Sequence, residues 1–331
     1  MAELLTLEEF EKDAAAFDAT MSMTPEVDLF CSSTPWVLSA HEAFTHQFDT
    51  WITRYDEGYV ALVKSWHERL GRFRQPLEAS WCLASPFAAE DPRALVEQFS
   101  VSCERESDDW DLLFLSGLVR NKQFYNALID CFGGRYFIGV GPPVSRFVAS
   151  LDGGYEEFLS RRSSKFRANL RRAWRRGEEE GVSYEYLREF DAEQDGPSWR
   201  EVYDRILAVE RRSWKGKSGT GIIDDPMREF YQRMLPRLAA RGNLRVLFVR
   251  QGEEDIAFVF GGLTASSYRG LQLSYDEDFK SLSPGNLAQI AIIQELCGEG
   301  IAAYDLGSEL DYKSNWAEER FETVSLVIRP W

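Results

Sequence analysis

The chain has 331 residues, of which 44 % are hydrophobic and 28 % charged, so it is too long for one small module and too apolar for a disordered protein. Its 54 acidic and 38 basic side chains give a net charge of -16, which argues against a protein that coats nucleic acid, because phosphate binding depends on a positive field. Any contact with nucleic acid must therefore be local.

Residues 1 to 150 alternate helix and strand patterns, and we predict that they form one half of the protein. The N-terminal segment is acidic where a secretory signal is basic, and no stretch approaches the ~20 apolar residues of a membrane span. The predicted elements are a helix at 4–18, strands at 36–38, 59–66 and 77–84, a helix at 92–103, a strand from 110, a helix at 124–129, and strands at 136–141 and 146–150. Two glycines within residues 151–154 mark the boundary.

Residues 151 to 181 are predicted to be a basic connecting helix. Phe166, Leu170 and Trp174 recur at every fourth position, which places one apolar stripe along it. The helix also carries an unusual concentration of positive charge, from Arg161, Arg162, Lys165, Arg167, Arg171, Arg172, Arg175 and Arg176. A solvated face, with salt bridges to the acidic body of the protein, is the simplest interpretation.

Residues 182 to 331 are predicted to form the second half. Antiparallel strand signals here precede a strand, helix, strand crossover, an order that is typical of a mixed sheet in an α/β (α+β) protein. The predicted elements are a strand at 182–187, helices at 197–213 and 225–241 around a glycine-rich loop, strands at 244–250, 255–263 and 268–276, a helix at 286–297, a strand at 302–306, a polar turn at 312–316 and a last strand at 322–329.

The segment LSPGN at 282–286 has the features of a helix start. Ser283 suits the N-cap, Pro284 suits the first helical position, and Gly285 has no side chain to cover the free amides. Such a start either is an ordinary helix cap or binds a phosphate group at its exposed N–H groups.

Four segments together resemble a known family, the GNAT acyltransferases, and in particular their branch named after a cellulose-biosynthesis acetyltransferase, which is related to the FemAB-type transferases. The segments are SKFRANLRRAWRR at 164–176, ERRSWKGKSGTGI at 210–222, SPGNL at 283–287 and DLGSELDYKSNWA at 305–317. The resemblance implies tandem GNAT-like mixed sheets flanked by helices, with a FemAB-like two-half architecture. The half at 1–150 would lack a cofactor loop, and the half at 182–331 would bind acyl-CoA. One departure is that Leu282 and Leu287 replace the residues of the general GNAT pyrophosphate pattern.

The resemblance implies acetyl-CoA or another acyl-CoA as donor, bound where two strands diverge after Tyr275. The donor contacts that it implies are Tyr275, Ser283, Gly285, Asn286 and Leu287. It makes Trp214, Lys215, Glu277 and Lys313 candidate acceptor contacts, although Trp214 could instead be packed at a helix end.

The end of the strand at 302–306 and the polar residues that follow it contain the candidate catalytic groups. Transfer to an amine needs a proton acceptor and a donor for the leaving thiolate. We assign the donor to Tyr312 and the acceptor to Glu309 or Asp305, the alternative being that the turn is merely solvated. The second half has no histidine, and its Cys297 lies in an apolar helix, so direct transfer without a covalent intermediate is expected.

The predicted function is an acyl-CoA-dependent N-acyltransferase that acts on an amine of a small molecule, an amino sugar or a polysaccharide precursor, in a cleft lined by both halves. Two alternatives remain, a FemAB-like transferase that uses aminoacyl-tRNA and a catalytically silent GNAT-like binding protein. The basic helix could correspondingly contact CoA phosphates, tRNA or an anionic membrane. Five scattered cysteines predict a reduced, cytoplasmic protein, and the three histidines show no ligand spacing, so no metal site is expected.

Overall fold

Two β-sheets, each with helices packed against it, organise the chain. The computed structural model describes residues 2–190, 197–308 and 311–331. It divides them into one unit of Met1–Val144 with Glu322–Trp331 and a second unit of Ser145–Phe321. Both units mix α and β structure, which confirms the predicted fold class.

The first unit has strands β1 to β7 and the end of β14, with helices α1 to α6. The strands are β1 Glu3–Leu5, β2 Asp49–Tyr55, β3 Gly58–His67, β4 Gly71–Pro76, β5 Phe87–Ala88, β6 Leu112–Leu118, β7 Phe137–Val140 and β14 Glu319–Arg329. The helices are α1 Leu7–Lys12, α2 Ala14–Met23, α3 Leu29–Ser32, α4 Thr34–Ala40, α5 Pro92–Arg105 and α6 Gln123–Phe132.

The sheet of this unit runs in the order β1-β2-β3-β4-β6-β14. The β4 and β6 strands are parallel, and the other described neighbours are antiparallel. Its core contains Trp51 and Trp110 together with Phe87, Phe99 and Phe132. These large side chains come from the strands and from α5 and α6, so the two helices cover the sheet.

Two predicted strands of the first unit are wrong. Residues 36–38 lie in α4, whose seven residues are all buried, and a short apolar run does not distinguish a buried helix from a strand. Residues 77–84 form no strand, because the Glu78 carboxylate accepts the backbone N–H groups of Trp81, Leu83 and Ala84 at 2.6, 3.2 and 3.1 Å. The chain therefore turns there, and β3 pairs instead with β4.

The second unit has strands β8 to β13 and helices α7 to α12. The strands are β8 Val144–Ser150, β9 Val182–Leu187, β10 Leu244–Gln251, β11 Glu254–Thr264, β12 Ser267–Tyr275 and β13 Ala303–Ser308. The helices are α7 Gly154–Ser160, α8 Ser164–Glu179, α9 Trp199–Arg212, α10 Trp214–Ser218, α11 Met227–Ala240 and α12 Pro284–Gly298.

The second sheet runs in the order β8-β13-β12-β11-β10-β9. Only β12 and β13 pair in parallel among its described strands, and α12 connects them. A crossover is required there because parallel neighbours cannot be joined by a tight turn. The core around α12 includes Leu170 of α8 and Phe158 of α7, so both helices pack on the same side as α12.

The basic segment forms two helices, α7 and α8, rather than one. The Ser163 hydroxyl accepts the N–H of Phe166 at 3.2 Å and starts α8. Leu170 and Ala173 are buried, and a Cβ at the buried Gly177 would lie 3.2 Å from Leu287 of α12. Of the predicted apolar stripe of α8, Leu170 thus lies on the face that packs on α12, whereas Phe166 contacts Trp316 and Trp174 contacts Tyr184 of β9.

The two units do not follow the predicted division into residues 1–150, 151–181 and 182–331, because the C-terminal strand returns to the first unit. Residues 322–331 belong to the first unit, because β14 pairs there with β6 and β7. Residues 145–181 belong to the second unit, because β8 pairs with β13 and α8 packs on α12. Long-range strand pairing of this kind leaves no local signal in the sequence.

We expect Trp174→Ala to lower the free energy of unfolding by about 1–3 kcal/mol, which denaturant unfolding would measure. The half-buried indole stacks on Tyr184 with ring centroids 4.9 Å apart and planes 4° apart, and its Nε1 donates to Glu178 at 3.0 Å. Trp174→Phe should keep most of the stability, because it retains a stacked ring. A loss within about 0.5 kcal/mol for the alanine variant would mean that the ring contributes no packing.

Candidate functional site

The strands β12 and β13 pair over only three residues and then part. Their register joins Ser267 to Ala303, Tyr268 to Tyr304 and Arg269 to Asp305. Beyond that pair, β12 continues to Tyr275 and β13 to Ser308. Tyr268 and Arg269 are buried, whereas residues 270–273 are half-buried, as expected where a strand loses one neighbour. The divergence thus begins at Arg269, six residues earlier than the sequence predicts.

A buried ion cluster lies at the point of divergence. The Asp305 carboxylate accepts from Arg269 Nη1 at 2.7 Å and from Arg146 Nη1 of β8, and its other oxygen accepts the N–H of Gly307 at 2.8 Å. Both arginines and Asp305 are buried. Both oxygens of this carboxylate are thus occupied by groups of the protein, so Asp305 ties β13 to the neighbouring strands and we take Glu309 as the base in the proposal below.

The start of α12 lies beside the diverging strand. Ser283 is the N-cap residue, but its backbone is left-handed at φ 58° and its side chain caps no N–H group. The N–H groups of Asn286 and Leu287 donate to Ser283 O at 3.0 and 3.2 Å. No described residue accepts the N–H of Gly285, so this amide is the one that the helix start leaves open.

Gly285 also lies against the diverging strand. A Cβ on it would lie 3.3 Å from the ring of Tyr275 and 3.5 Å from Leu273. The half-exposed Tyr275 and Asn286 lie at the helix start, whereas the side chain of Leu287 is fully buried in the core. The N–H of Leu287 is already bonded to Ser283 O.

The loop after α9 brings Lys215 to the same strand. Buried Glu210 accepts from the Ser213 hydroxyl at 3.2 Å and from the N–H of Ile222 at 3.3 Å, which ties the two ends of the loop together. A Cβ at Gly216 would lie 2.1 Å from Glu210 O, so the loop needs glycine there. Lys215 Nζ donates to Leu273 O at 2.8 Å and to Gln272 Oε1 at 3.2 Å, and burial lowers its pKa.

Lys313 and Tyr312 reach the site from residues 311–315, a short 3-10 helix after β13. Lys313 Nζ donates to Ser308 O at 3.0 Å, and burial, together with Arg269 and Lys215, lowers its pKa to about 8. Both lysines therefore lie at β12, Lys215 against Leu273 and Lys313 beside Arg269. Tyr312 is 55 % exposed, and partial burial raises the pKa of its phenol, which keeps it protonated at neutral pH.

Three predicted site residues remain: Trp214, Glu277 and Glu309. Trp214 is 52 % exposed, so it is not packed into the core. Glu277 forms an ion pair with Lys217 at 2.8 Å. Glu309, the other candidate base, lies outside the described residues.

Sequence reasoning missed Arg269, Gln272 and Glu210. Arg269 and Gln272 stand in an ordinary strand pattern, and only the early end of strand pairing gives them importance. Glu210 is a charged residue at a position of α9 that is completely buried. Its place among the apolar positions of an amphipathic helix is the one signal that could have identified it.

Residues 164–314 match the family model described as an acetyltransferase (GNAT) domain. The match runs from the start of α8 to the 3-10 helix that carries Lys313, so it includes every site residue predicted from the sequence. This part of the chain is similar to a GNAT acetyltransferase domain, and the enzyme class that the match indicates is a transferase. No curated protein sequence matches the chain.

Solved structures with low sequence identity share the fold. FemX superimposes with a TM-score of 0.67 at 10 % identity, over 100 % of this chain and 97 % of that one. A protein of unknown function from Bacteroides thetaiotaomicron gives 0.62 at 13 %, over 99 % and 100 %. The C-terminal domain of a putative lysylphosphatidylglycerol synthetase from Agrobacterium fabrum gives 0.58 at 14 %, over 96 % and 91 %. The likeness therefore extends through both units.

Three further features concern the thiols, membrane-spanning helices and metal ligands. All five cysteines are free thiols. Within residues 2–190, 197–308 and 311–331, no helix is both long and apolar enough to cross a bilayer. The same residues contain no group of three or more His, Cys, Asp and Glu side chains placed to hold a metal ion.

We expect Lys313→Met to stabilise the protein at pH 7, by about 1 kcal/mol after allowance for partial exposure. The pKa of Lys313 is about 8 in the folded state, so above pH 8 the folded protein binds fewer protons at this lysine than the unfolded chain does. Its contribution to stability therefore rises between pH 8 and about 10.4, the ordinary lysine value. Urea unfolding at pH 7 and pH 10 should show the advantage of the variant shrinking at the higher pH.

Lys64→Met, at an exposed position of β3, is the matched control and should show neither effect. An advantage for Lys313→Met that stayed constant between the two pH values would contradict a desolvated amino group at Lys313.

Proposed function

We propose that the protein is an acyl-CoA-dependent N-acyltransferase whose donor binds in the second unit, between the start of α12 and the open edge of β12. The observation that carries this proposal is the early parting of β12 and β13 after Arg269 and Asp305. A strand with one free edge offers N–H and C=O groups to an extended ligand. The amide-containing arm of CoA is such a ligand, and the match to an acetyltransferase domain supports the choice.

The pyrophosphate of the donor would lie at the start of α12. The open N–H of Gly285 and the positive end of the helix dipole favour an anion there. Arg176 of α8 donates to Ser281 O, which brings a guanidinium group to the same end of the helix. This cation offers a replacement for the basic or polar residue of the general pyrophosphate pattern, whose place Leu282 occupies.

The chemistry would be direct transfer. The amine nitrogen attacks the thioester carbon, the new C–N bond forms, the C–S bond breaks, and the thiolate takes a proton from Tyr312. The amine loses its proton to Glu309, which follows β13 directly in the sequence. Tyr312 recovers its proton from solvent. The raised pKa of Tyr312 supports its role as a donor, because a protonated phenol is required at the start.

The acceptor would be an amine of a small molecule, an amino sugar or a polysaccharide precursor. The exposed ring of Trp214 supports such an acceptor, because an exposed indole next to a binding site offers a flat apolar surface. Glu277, Lys215 and Lys313 would contact the same molecule. The five free cysteines support the cytoplasm as its location.

A second candidate is a FemAB-like transfer from aminoacyl-tRNA, and the surface of α8 favours it. Lys165, Arg171, Arg172, Arg175 and Arg176 are all exposed. Among the described contacts of these five, the only ion pair with a carboxylate is Arg175 with Glu179 at 3.5 Å. The expected salt bridges do form at Arg161 and Arg162, which pair with Glu318, but most of the exposed cations of α8 have none among the described residues, and a polyanion would find a positive face there.

We expect Gly285→Asp to weaken acetyl-CoA binding at least tenfold, ~1.4 kcal/mol, in isothermal titration calorimetry. The new carboxylate would repel the pyrophosphate and occupy the open amide. Gly298→Asp is the matched control, since it adds the same charge at the far end of α12 where a Cβ meets nothing within 4 Å.

Equal affinities in the two variants would remove the donor site from the start of α12. Bulk tRNA is the second ligand of the same experiment. Tight, salt-sensitive tRNA binding that is lost in Arg171→Ala/Arg172→Ala, without acetyl-CoA binding, would favour the aminoacyl-tRNA alternative.

We expect Tyr312→Phe to lower kcat by ~10²- to 10⁴-fold while leaving the affinity for acetyl-CoA almost unchanged. The substitution removes only the proton donor. Steady-state release of CoA, measured with a thiol reagent and the acceptor in use, reports kcat. Cys297→Ala should remain active, because burial raises the pKa of that thiol and makes it a poor nucleophile. Full activity of Tyr312→Phe, or an acyl group trapped on Cys297, would contradict direct transfer with Tyr312 as the acid.

A further inference from the structure

Two lysine amino groups lie where β12 and β13 part, and neither has a carboxylate partner within the described part of the chain. Lys215 Nζ contacts Leu273 O and Gln272 Oε1, and Lys313 Nζ contacts Ser308 O. All three acceptors are neutral. Since an ammonium group has three N–H donors, each lysine keeps at least one donor for another molecule.

Among the described residues, the carboxylates that act on the two lysines are Asp305 on Lys313 and Glu210 on Lys215, and both also accept hydrogen bonds from other groups. Asp305 is shared by Arg146 and Arg269, and Glu210 accepts from Ser213 and Ile222. Arg269 itself adds to the positive charge, because its Nη2 and Lys313 Nζ both lie within 3.8 Å of the position where a Cβ of Gly307 would stand. Lys215, Lys313 and Arg269 therefore form a local positive centre in a protein with a net charge of -16.

Such a centre is costly to the free protein. Burial lowers the pKa values of both lysines, and the charges of Arg269 and Lys215 lower that of Lys313 further, so each charge is held in an unfavourable environment. Clusters of like charge that the fold leaves uncompensated are typical of sites at which a ligand supplies the opposite charge. The position at the parting of the strands places this ligand next to the proposed acyl group.

We propose that Lys215 and Lys313 together bind an anionic group of the acceptor, a carboxylate or a phosphate, so that the physiological acceptor is an acidic amine. This inference rests on the proposed function, since it takes the acyl group to lie along β12. It narrows the acceptor class to amines that also carry a negative charge, such as amino acids or phosphorylated amino sugars. Neutral amines would lack the group that these lysines hold.

The test uses the full chain with ¹³C-labelled lysine, in an NMR titration with inorganic phosphate and with acetate at constant ionic strength. We expect at least one of the two anions to raise the pKa values of Lys215 and Lys313, by about one unit or more, because an opposite charge within hydrogen-bond distance favours the ammonium form. The two arms separate a phosphate site from a carboxylate site. The exposed Lys64 should not respond.

Substitution of one lysine tests whether the two act together. Lys215→Met should weaken anion binding, read at the Lys313 signal, about tenfold, and Lys215→Arg should retain it because the charge remains. In Gly285→Asp, the anion should still raise the pKa values of both lysines. That result would show that the anion does not act from the start of α12. If neither anion moves either lysine signal in the unmodified protein, the proposal is overturned whatever the variants do.

These experiments distinguish a failure of the anion site from a failure of the proposed function. Acetyl-CoA binding together with no anion response would leave the donor site standing and remove the acidic acceptor. An anion response without acetyl-CoA binding would support the anion site and contradict the acyl-CoA donor.

Discussion

The carboxylate of Asp305 is the interaction on which the second unit depends. It joins Arg146 of β8 and Arg269 of β12 to its own strand, β13, so one buried anion ties three adjacent strands together. The parallel pairing of β12 with β13 spans only three residues and ends at this cluster. Removal of the carboxylate would leave two buried guanidinium groups without their anion, which is far more costly than the loss of a surface ion pair.

The same cluster explains the chemistry that the site can perform. The two arginines occupy the Asp305 carboxylate, which still favours the ammonium form of Lys313. Lys215 and Lys313 are positive centres beside an open strand edge, and Tyr312, whose pKa is raised by burial, directly precedes Lys313 in the chain. A catalytic domain commonly accepts such a loss of stability at its site, where uncompensated charge serves a ligand.

Local patterns in the sequence predicted most elements of the second unit and the helix start at Ser283 to Gly285. Those features follow from hydrophobic periodicity and from capping preferences, which act between neighbours in the chain. The role of Asp305 could not be predicted, because its partners lie 159 and 36 residues away. The pairing of β14 was missed for the same reason. The turn at Glu78 depends on local contacts with residues 81–84 and was missed because the apolar run there also fits a strand.

Hydrogen exchange of the β12 amides, with and without acetyl-CoA, tests most directly whether the donor binds along the open edge of this strand. We expect the amides of residues 270–275 that do not bond to β11 to exchange quickly in the free protein and to become protected when acetyl-CoA binds. Tyr268 and Arg269, already paired with β13, should change little. Unchanged exchange across residues 270–275 at saturating acetyl-CoA would contradict a donor bound along the open edge of this strand.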